Sequence, residues 1–114
     1  MATVTKYRRR YERVGFYCDL LVTPTAGGEA VPARSVDISL GGVGVVAAVS
    51  WPRGELVRIG FHLKDSRQQP VVEEVTGRIA HCRAEEDGNI LGVEFLEPIS
   101  AAAQPALARR LQAL

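Results

Sequence analysis

A mainly-β domain, an antiparallel barrel or sandwich followed by a short C-terminal helix, is the fold that the 114 residues predict. Three observations carry this. Apolar and polar residues alternate at period two in several runs of strand length. Clusters rich in Gly, Pro, Asp and Asn separate those runs at short, regular spacing. Helical periodicity is confined to the tail, so the strand–helix alternation of a doubly wound parallel sheet is missing.

The elements follow in order. GFYCDLLVT (15–23) puts Phe16, Cys18, Leu20 and Val22 at alternate positions, and PTAGGE then reads as a turn whose glycines take positive φ. AVPARSVDIS (30–39) is the next extended run, where Pro32 predicts an edge position or a bulge because it has no N–H to donate. GGVGVVAAV (41–49) is apolar, with three glycines near its start that invite close backbone approach. WPRGE is a turn in which Trp51 reads as a packing anchor, and LVRIGFHL (56–63) alternates as a half-buried strand. KDSRQQP is a loop, VVEEVTGRIAHCR (71–83) a longer strand with a bulge predicted at Gly77, AEEDGN an acidic hairpin loop, and ILGVEFLEP (90–98) the last strand, ended by Pro98. In the tail, Leu107, Leu111 and Leu114 share a helical face with Ile99 upstream, Pro105 suits a first turn, and Arg109 and Arg110 suit the C-terminal end. A helix this short is marginal alone, so it must dock on the barrel or on a partner chain.

Composition bounds the function. A 46% apolar, 24% charged chain of this length is one globular domain. No membrane-spanning run and no signal-peptide pattern is visible, which makes the cytoplasm the expected location and a membrane partner unexpected. Charge is uneven. Residues 1–18 hold Lys6, Arg8, Arg9, Arg10 and Arg13 against Glu12, a balance of +4, while the remainder carries −3 within a net charge of +1. A uniformly basic nucleic-acid binder would not be built this way; the attraction for anions sits in one short segment. Twelve of the fourteen cations are arginine, which offers a planar, bidentate, stackable head. Cys18 and Cys82 read as two small buried core residues, with no metal-ligand spacing around them. His62 and His81 lie on predicted strands with no nucleophile at fixed spacing and read as structural or exposed, so catalysis has no support. Glu73-Glu74 reads as a solvated strand edge and Glu85-Glu86-Asp87 as a hairpin loop.

Two short features carry chemistry. One is Arg9-Arg10-Tyr11-Glu12-Arg13, an RxxxR, whose spacing puts Arg9 and Arg13 on one side. The other is Asp37-Ile38-Ser39-Leu40-Gly41-Gly42, a DxSxxG. Asp37 and Ser39 share a face of an extended strand end, and Gly41 and Gly42 allow a tight reversal that leaves backbone N–H groups open to a ligand. Either feature alone is also what a solvated arm or an Asx turn looks like. Together they fit one ligand chemistry. A guanidinium satisfies guanine O6 and N7, a carboxylate satisfies the donor-only N1–H and N2–H₂ edge, and further arginines with a hydroxyl or N–H satisfy phosphates. Arg10 is at hand for more of the anion, and Arg78 is a candidate to point into the ligand face.

RRRYERV followed by VDISLGGVGV, with the later LVRIGFHL, VTGRIAHC and LGVEFLEP stretches, resembles the PilZ domain, a bacterial receptor module for the second messenger cyclic di-GMP. The resemblance implies a six-stranded antiparallel β-barrel over residues 7–98 with the RxxxR loop entering its first strand and a C-terminal helix within 99–114; the N-terminal arm over 1–6, with few apolar anchors, is expected to be flexible. It implies cyclic di-GMP binding by Arg9, Arg13, Asp37, Ser39, Gly41 and Gly42. Arg8, just before the motif, goes in the family with an intercalated pair of ligand molecules. No cofactor is implied, no second domain is recognised in the sequence, the downstream protein is unknown and a homodimer stays open. The competing expectations are a barrel that binds single-stranded nucleic acid through the basic arm with Tyr7 or Tyr11 as stacking groups, and a PilZ-like scaffold that contacts only proteins.

Neighbouring residues of an extended segment point to opposite faces, so Arg8 and Arg10 share a side that Arg9 does not. The segment therefore offers guanidinium in two directions. Saturating titration is expected to give two cyclic di-GMP molecules per chain, and Arg8→Leu is expected to lower the count towards one while binding persists. A ratio of one in both proteins would reduce Arg8 to part of a solvated arm.

Overall fold

The computed structural model describes residues 12–113. Arg8, Arg9 and Arg10 of the basic segment, the arm over 1–6 and Leu114 lie outside the described residues. Seven strands and one helix follow in chain order: β1 (Val14–Gly15), β2 (Asp19–Pro24), β3 (Val31–Ser39), β4 (Gly42–Ala47), β5 (Leu56–Lys64), β6 (Pro70–Glu85), β7 (Gly88–Phe95) and α1 (Pro105–Ala113). Every pairing is antiparallel. The order β3-β2-β5-β6-β7-β4 closes on itself through β3–β4, which makes a six-stranded barrel, and β1 lies outside the ring against the end of β3. Closure removes the sheet edges that would otherwise offer unpaired backbone to another chain. Among the described residues no helix is long and apolar enough to cross a membrane.

The first run predicted, 15–23, is split. Gly15 pairs with Asp37 and Asp19 with Arg34, so three residues on one strand face two on the other. Ser35 repairs the gap. It is fully buried, its hydroxyl donates to the Phe16 carbonyl at 2.7 Å, and its N–H donates to the Cys18 carbonyl at 2.9 Å. The irregular backbone is thus satisfied, and Phe16 and Cys18 both turn into the core. Phe16, Phe61 and Phe95 form a ladder of rings through the interior, with centroids 6.5 Å apart at each step. Pro32 pairs with Leu21 of β2, while the β4 ladder starts only at Ala33, which places the proline where one flank of β3 is free. Trp51 packs against the core as expected.

Three sequence expectations are corrected. The slip in β6 falls between Ile79 and His81, not at Gly77. Gly77 keeps regular pairing with Val57 and Phe95, and it is glycine because a Cβ would stand 2.6 Å from Val93 Cγ1 and 2.8 Å from the Glu94 carbonyl oxygen. Cys18 is buried, and burial raises the pKa of its thiol, but Cys82 is exposed. Its partner across the ladder is Leu91, near the barrel end where β6 runs on past the paired length of β5.

The third correction is Glu73, which is not a solvated strand residue. It is 8% exposed, and its two carboxylate oxygens accept the N–H groups of Ala106 at 2.9 Å and Leu107 at 2.8 Å. The first turn of α1 has no acid of its own, so β6 supplies the cap across space. Gln104 adds a second tie, its side-chain amide donating to the Glu74 carbonyl. Leu107 and Ile99, both buried, then close one end of the barrel, and the Arg110 guanidinium lies 5.0 Å from the Phe16 ring centroid.

Glu73→Ala leaves two partly desolvated N–H groups without acceptors and is expected to cost roughly 1–3 kcal/mol. Glu73→Gln, with one good acceptor left, is expected to cost less. Urea denaturation reads both. A Glu73→Ala midpoint equal to that of the unaltered chain would show that the cap does not hold the helix.

Candidate functional site

The end of β3 and its hairpin into β4 position the DxSxxG residues. Ser39 pairs with Gly42, so the reversal is a two-residue loop of Leu40 and Gly41. Ser39 is buried, and its hydroxyl oxygen accepts the Gly41 N–H at 3.1 Å. The loop is tied on its outer side as well, because the Gly41 carbonyl accepts the Phe95 N–H and the Leu40 carbonyl accepts the Ile99 N–H, each at 2.9 Å. One detail departs from the sequence expectation: the Gly41 N–H is not open to a ligand but already bonded within the turn. Neither Gly41 nor Gly42 takes a positive φ.

Asp37 reaches the outer face through a second irregularity. Ser35 pairs with Val45 and Asp37 with Gly44, so Val36 is an extra residue on β3. Without that slip, strict alternation from the buried Ser35 would turn Asp37 inward. With it, Ile38 goes to the core and Asp37 faces out. Arg13, entering β1, then donates from Nη1 to Asp37 Oδ1 at 2.9 Å.

This ion pair lies on a floor of glycine. A Cβ on Gly44 would stand 2.5 Å from Asp37 Oδ1, and a Cβ on Gly42 would stand 3.3 Å from Arg13 Nη2 and 2.6 Å from the Val93 carbonyl oxygen. Glycine is required here by close approach, and the carboxylate and guanidinium lie flat over β4 as a result. Across β4 the floor continues, since Gly44 pairs with Gly92 of β7. Two outward rows therefore cross four strands. One runs Asp37–Gly44–Gly92–His81, the other Ser39–Gly42–Glu94–Arg78.

Arg13, Asp37, Ser39, Gly41 and Gly42 are thus brought together, and Arg78 stands exposed on the same outer surface two strands from Gly42. His81, read from the sequence as structural or exposed, stands exposed on this same surface. Its exposed ring lies over Gly92, where a Cβ would overlap the imidazole. The only signal in the sequence was the recurrence of glycine at outward positions of the β4 and β7 runs, which marks close approach without naming what approaches.

The electrostatics favour exchange. The Arg13 and Asp37 side chains are 47% and 41% exposed, so their pairing contributes only about 0.2–1 kcal/mol. A ligand with both acceptors and donors can replace it at little cost.

The comparisons agree with this architecture. A family model described as PilZ domain matches residues 7–113. No curated protein matches the sequence significantly. Among solved structures, the fold is similar to Bacillus subtilis inhibitor of motility (MotI/DgrA), with TM-score 0.73 at 23% identity over 93% of this chain and 51% of that one. The chain therefore spans about half the length of that protein. It is similar as well to the PilZ domain with c-di-GMP of YcgR from Escherichia coli, with TM-score 0.68 at 20% identity over 94% and 91% of the two chains. A third similar structure is the PilZ domain of CeSA from a cellulose-synthesizing bacterium, with TM-score 0.60 at 20% identity over 90% and 96%.

The geometry separates two roles that the sequence left joined. Ser39 closes the turn and Asp37 does not. Ser39→Ala is expected to cost roughly 0.5–1.5 kcal/mol in urea denaturation, and Asp37→Asn less than about 1 kcal/mol. A larger loss for Asp37→Asn than for Ser39→Ala would contradict this division.

Proposed function

The chain belongs to the PilZ domain family, and we propose that it is a receptor for cyclic di-GMP whose ligand binds on the glycine floor beside Arg13 and Asp37. PilZ domains are binding domains, which supports reading this chain as a receptor. The observation that carries the reading is the Arg13–Asp37 pair held flat over Gly42 and Gly44, because it joins the two motifs into one surface with a donor-rich and an acceptor-rich group side by side. That YcgR's PilZ domain was solved with c-di-GMP supports the same chemistry here.

The ligand acts by competition. Guanine presents N1–H and N2–H₂ to the Asp37 carboxylate, and its O6 and N7, or a phosphate, take the guanidinium that Asp37 releases. Each new bond is charge-assisted and made in a site that the ligand partly dries, so it outweighs the exposed pair it replaces. Arg8, Arg9 and Arg10 supply the remaining cation for the phosphates of two ligand molecules. Ser39 and the Gly41–Gly42 backbone flank the bound anion. Freeing Arg13 changes what holds β1 against β3, and this is the conformational signal passed to a downstream protein in the cytoplasm.

Calorimetry with cyclic di-GMP, cyclic di-AMP, GTP and a short oligonucleotide tests the assignment. Arg9→Ala and Arg13→Ala each remove a contact worth roughly 1.5–3 kcal/mol and are expected to weaken cyclic di-GMP binding at least tenfold with the fold intact. Asp37→Asn is expected to lose selectivity for cyclic di-GMP over cyclic di-AMP along with affinity. Unchanged affinity in both arginine variants, or tighter binding of the oligonucleotide by the unaltered chain, would overturn the reading.

A further inference from the structure

Asp37 is one end of an outward row, and His81 is the other. The two ends are built alike. Each sits immediately after a one-residue slip, at Val36 in β3 and at Ala80 in β6. Each is followed inward by glycine, Gly44 beside Asp37 and Gly92 beside His81, and each side chain lies down over its glycine. Strict alternation from the buried Ile79 would have sent Ala80 outward and His81 inward; the slip re-aims the imidazole onto the floor. Cβ positions of paired residues such as Gly44 and Gly92 are about 4.5–5.5 Å apart, which puts imidazole and carboxylate within about 10 Å on one flat surface. A dinucleotide laid on that floor is long enough to reach both.

We propose that His81 is a ligand-contacting residue of this receptor, that its imidazolium form donates to an acceptor of the bound nucleotide, and that ligand affinity therefore rises as pH falls. The inference rests on the receptor reading above. The row already has an acceptor in Asp37, so the opposite end needs a donor for the acceptor-only groups of the ligand, guanine N7 and O6 or phosphate oxygen.

The charges around His81 are mixed in sign. Asp37 lies along its row. Glu94 and Arg78 stand in the neighbouring row on β7 and β6. Arg83, paired with Glu85, lies further along β6. Glu55 and Arg53 belong to the loop that bonds to Ile79, and Arg13 lies over Gly42. The described cations and acids nearly cancel, so the ligand's own phosphates are the main change in field when it binds. Anions favour imidazolium over imidazole, so binding takes up a proton. By linkage, a contact made only by the protonated imidazole strengthens binding at the acid end and is lost as pH rises.

The test is calorimetric titration with cyclic di-GMP and with cyclic di-AMP at several pH values from about 5.5 to 8, where histidine titrates. The unaltered chain, His81→Gln and His62→Gln are compared, with melting curves to confirm folding. The unaltered chain and His62→Gln are expected to bind cyclic di-GMP about five- to tenfold tighter at the acid end, and His81→Gln to bind with a flat profile. A matching acid-end gain for cyclic di-AMP assigns the contact to phosphate or N7, and a gain for cyclic di-GMP alone assigns it to O6. Should His81→Gln misfold, His81→Asn carries the same comparison. A flat profile in the unaltered chain, or an unchanged slope in the His81 variant, overturns the role of His81 and leaves the receptor reading standing. Absence of binding by the unaltered chain at every pH overturns the receptor reading itself.

Discussion

Closure of six strands into a barrel is the constraint on which the remaining structure depends. A closed barrel gives each strand one face for the core and one for solvent, and side chains alternate strictly between them. A polar residue that must face out therefore needs the correct parity with every apolar residue before it. Residues 35–38 violate that parity, since Ser35 and Ile38, three positions apart, are both buried while Asp37 is not. The chain resolves the conflict by inserting Val36, and the buried hydroxyl of Ser35 satisfies the backbone that the neighbouring irregularity on β1 and β2 leaves open. The extra residue Ala80 does the same for His81. Bulges of this kind bend a strand and re-aim side chains at modest cost while the ladder on either side stays intact.

What the slips aim is then set by glycine. On β4 and β7, Gly42, Gly44 and Gly92 all occupy outward positions, and each is overlaid by a side chain from a neighbouring strand or from the entering segment. The loss of Cβ there sacrifices side-chain packing on the outer surface, which weakens a strand in isolation. In exchange, the side chains of Arg13, Asp37 and His81 lie down over the glycines of β4 and β7. The ion pair so formed is shallow and exposed. Its small net stability is what makes it suited to exchange, since a deeply buried pair would resist a competing ligand by several kcal/mol.

The helix is tied to the same surface by short routes. Glu73 caps it from β6, and its own Leu107 is buried in the core. The segment between β7 and α1 is bonded through Ile99 to the Leu40 carbonyl, at the tip of the hairpin that carries Ser39, Gly41 and Gly42. Arg110 reaches back over Phe16, three residues beyond Arg13. The Leu40–Gly41 tip is thus bonded to the segment that leads into α1, and the chain just after Arg13 packs against α1 itself.

Sequence alone determined the class of fold, the approximate strand spans and the helix near Pro105, and it singled out Arg13, Asp37, Ser39 and Gly42, which the fold brings together, because each rests on short-range signals: period-two alternation, turn chemistry and two local motifs. The positive φ at Gly27 and Gly28 was legible for the same reason. What sequence could not reach depends on pairing partners. Glu73 looked like a surface acid because its acceptors' donors, Ala106 and Leu107, lie more than thirty positions away. The bulge was expected at Gly77, where a glycine stood, yet it fell at Ala80, because register across β6 and β7 is decided by which residues of both strands must be buried together. His81 carried no motif, and its place on the floor followed from that register and from Gly92 on another strand. Tertiary structure decided these positions, since parity in a closed barrel is a property of strand pairs and is written in no single strand.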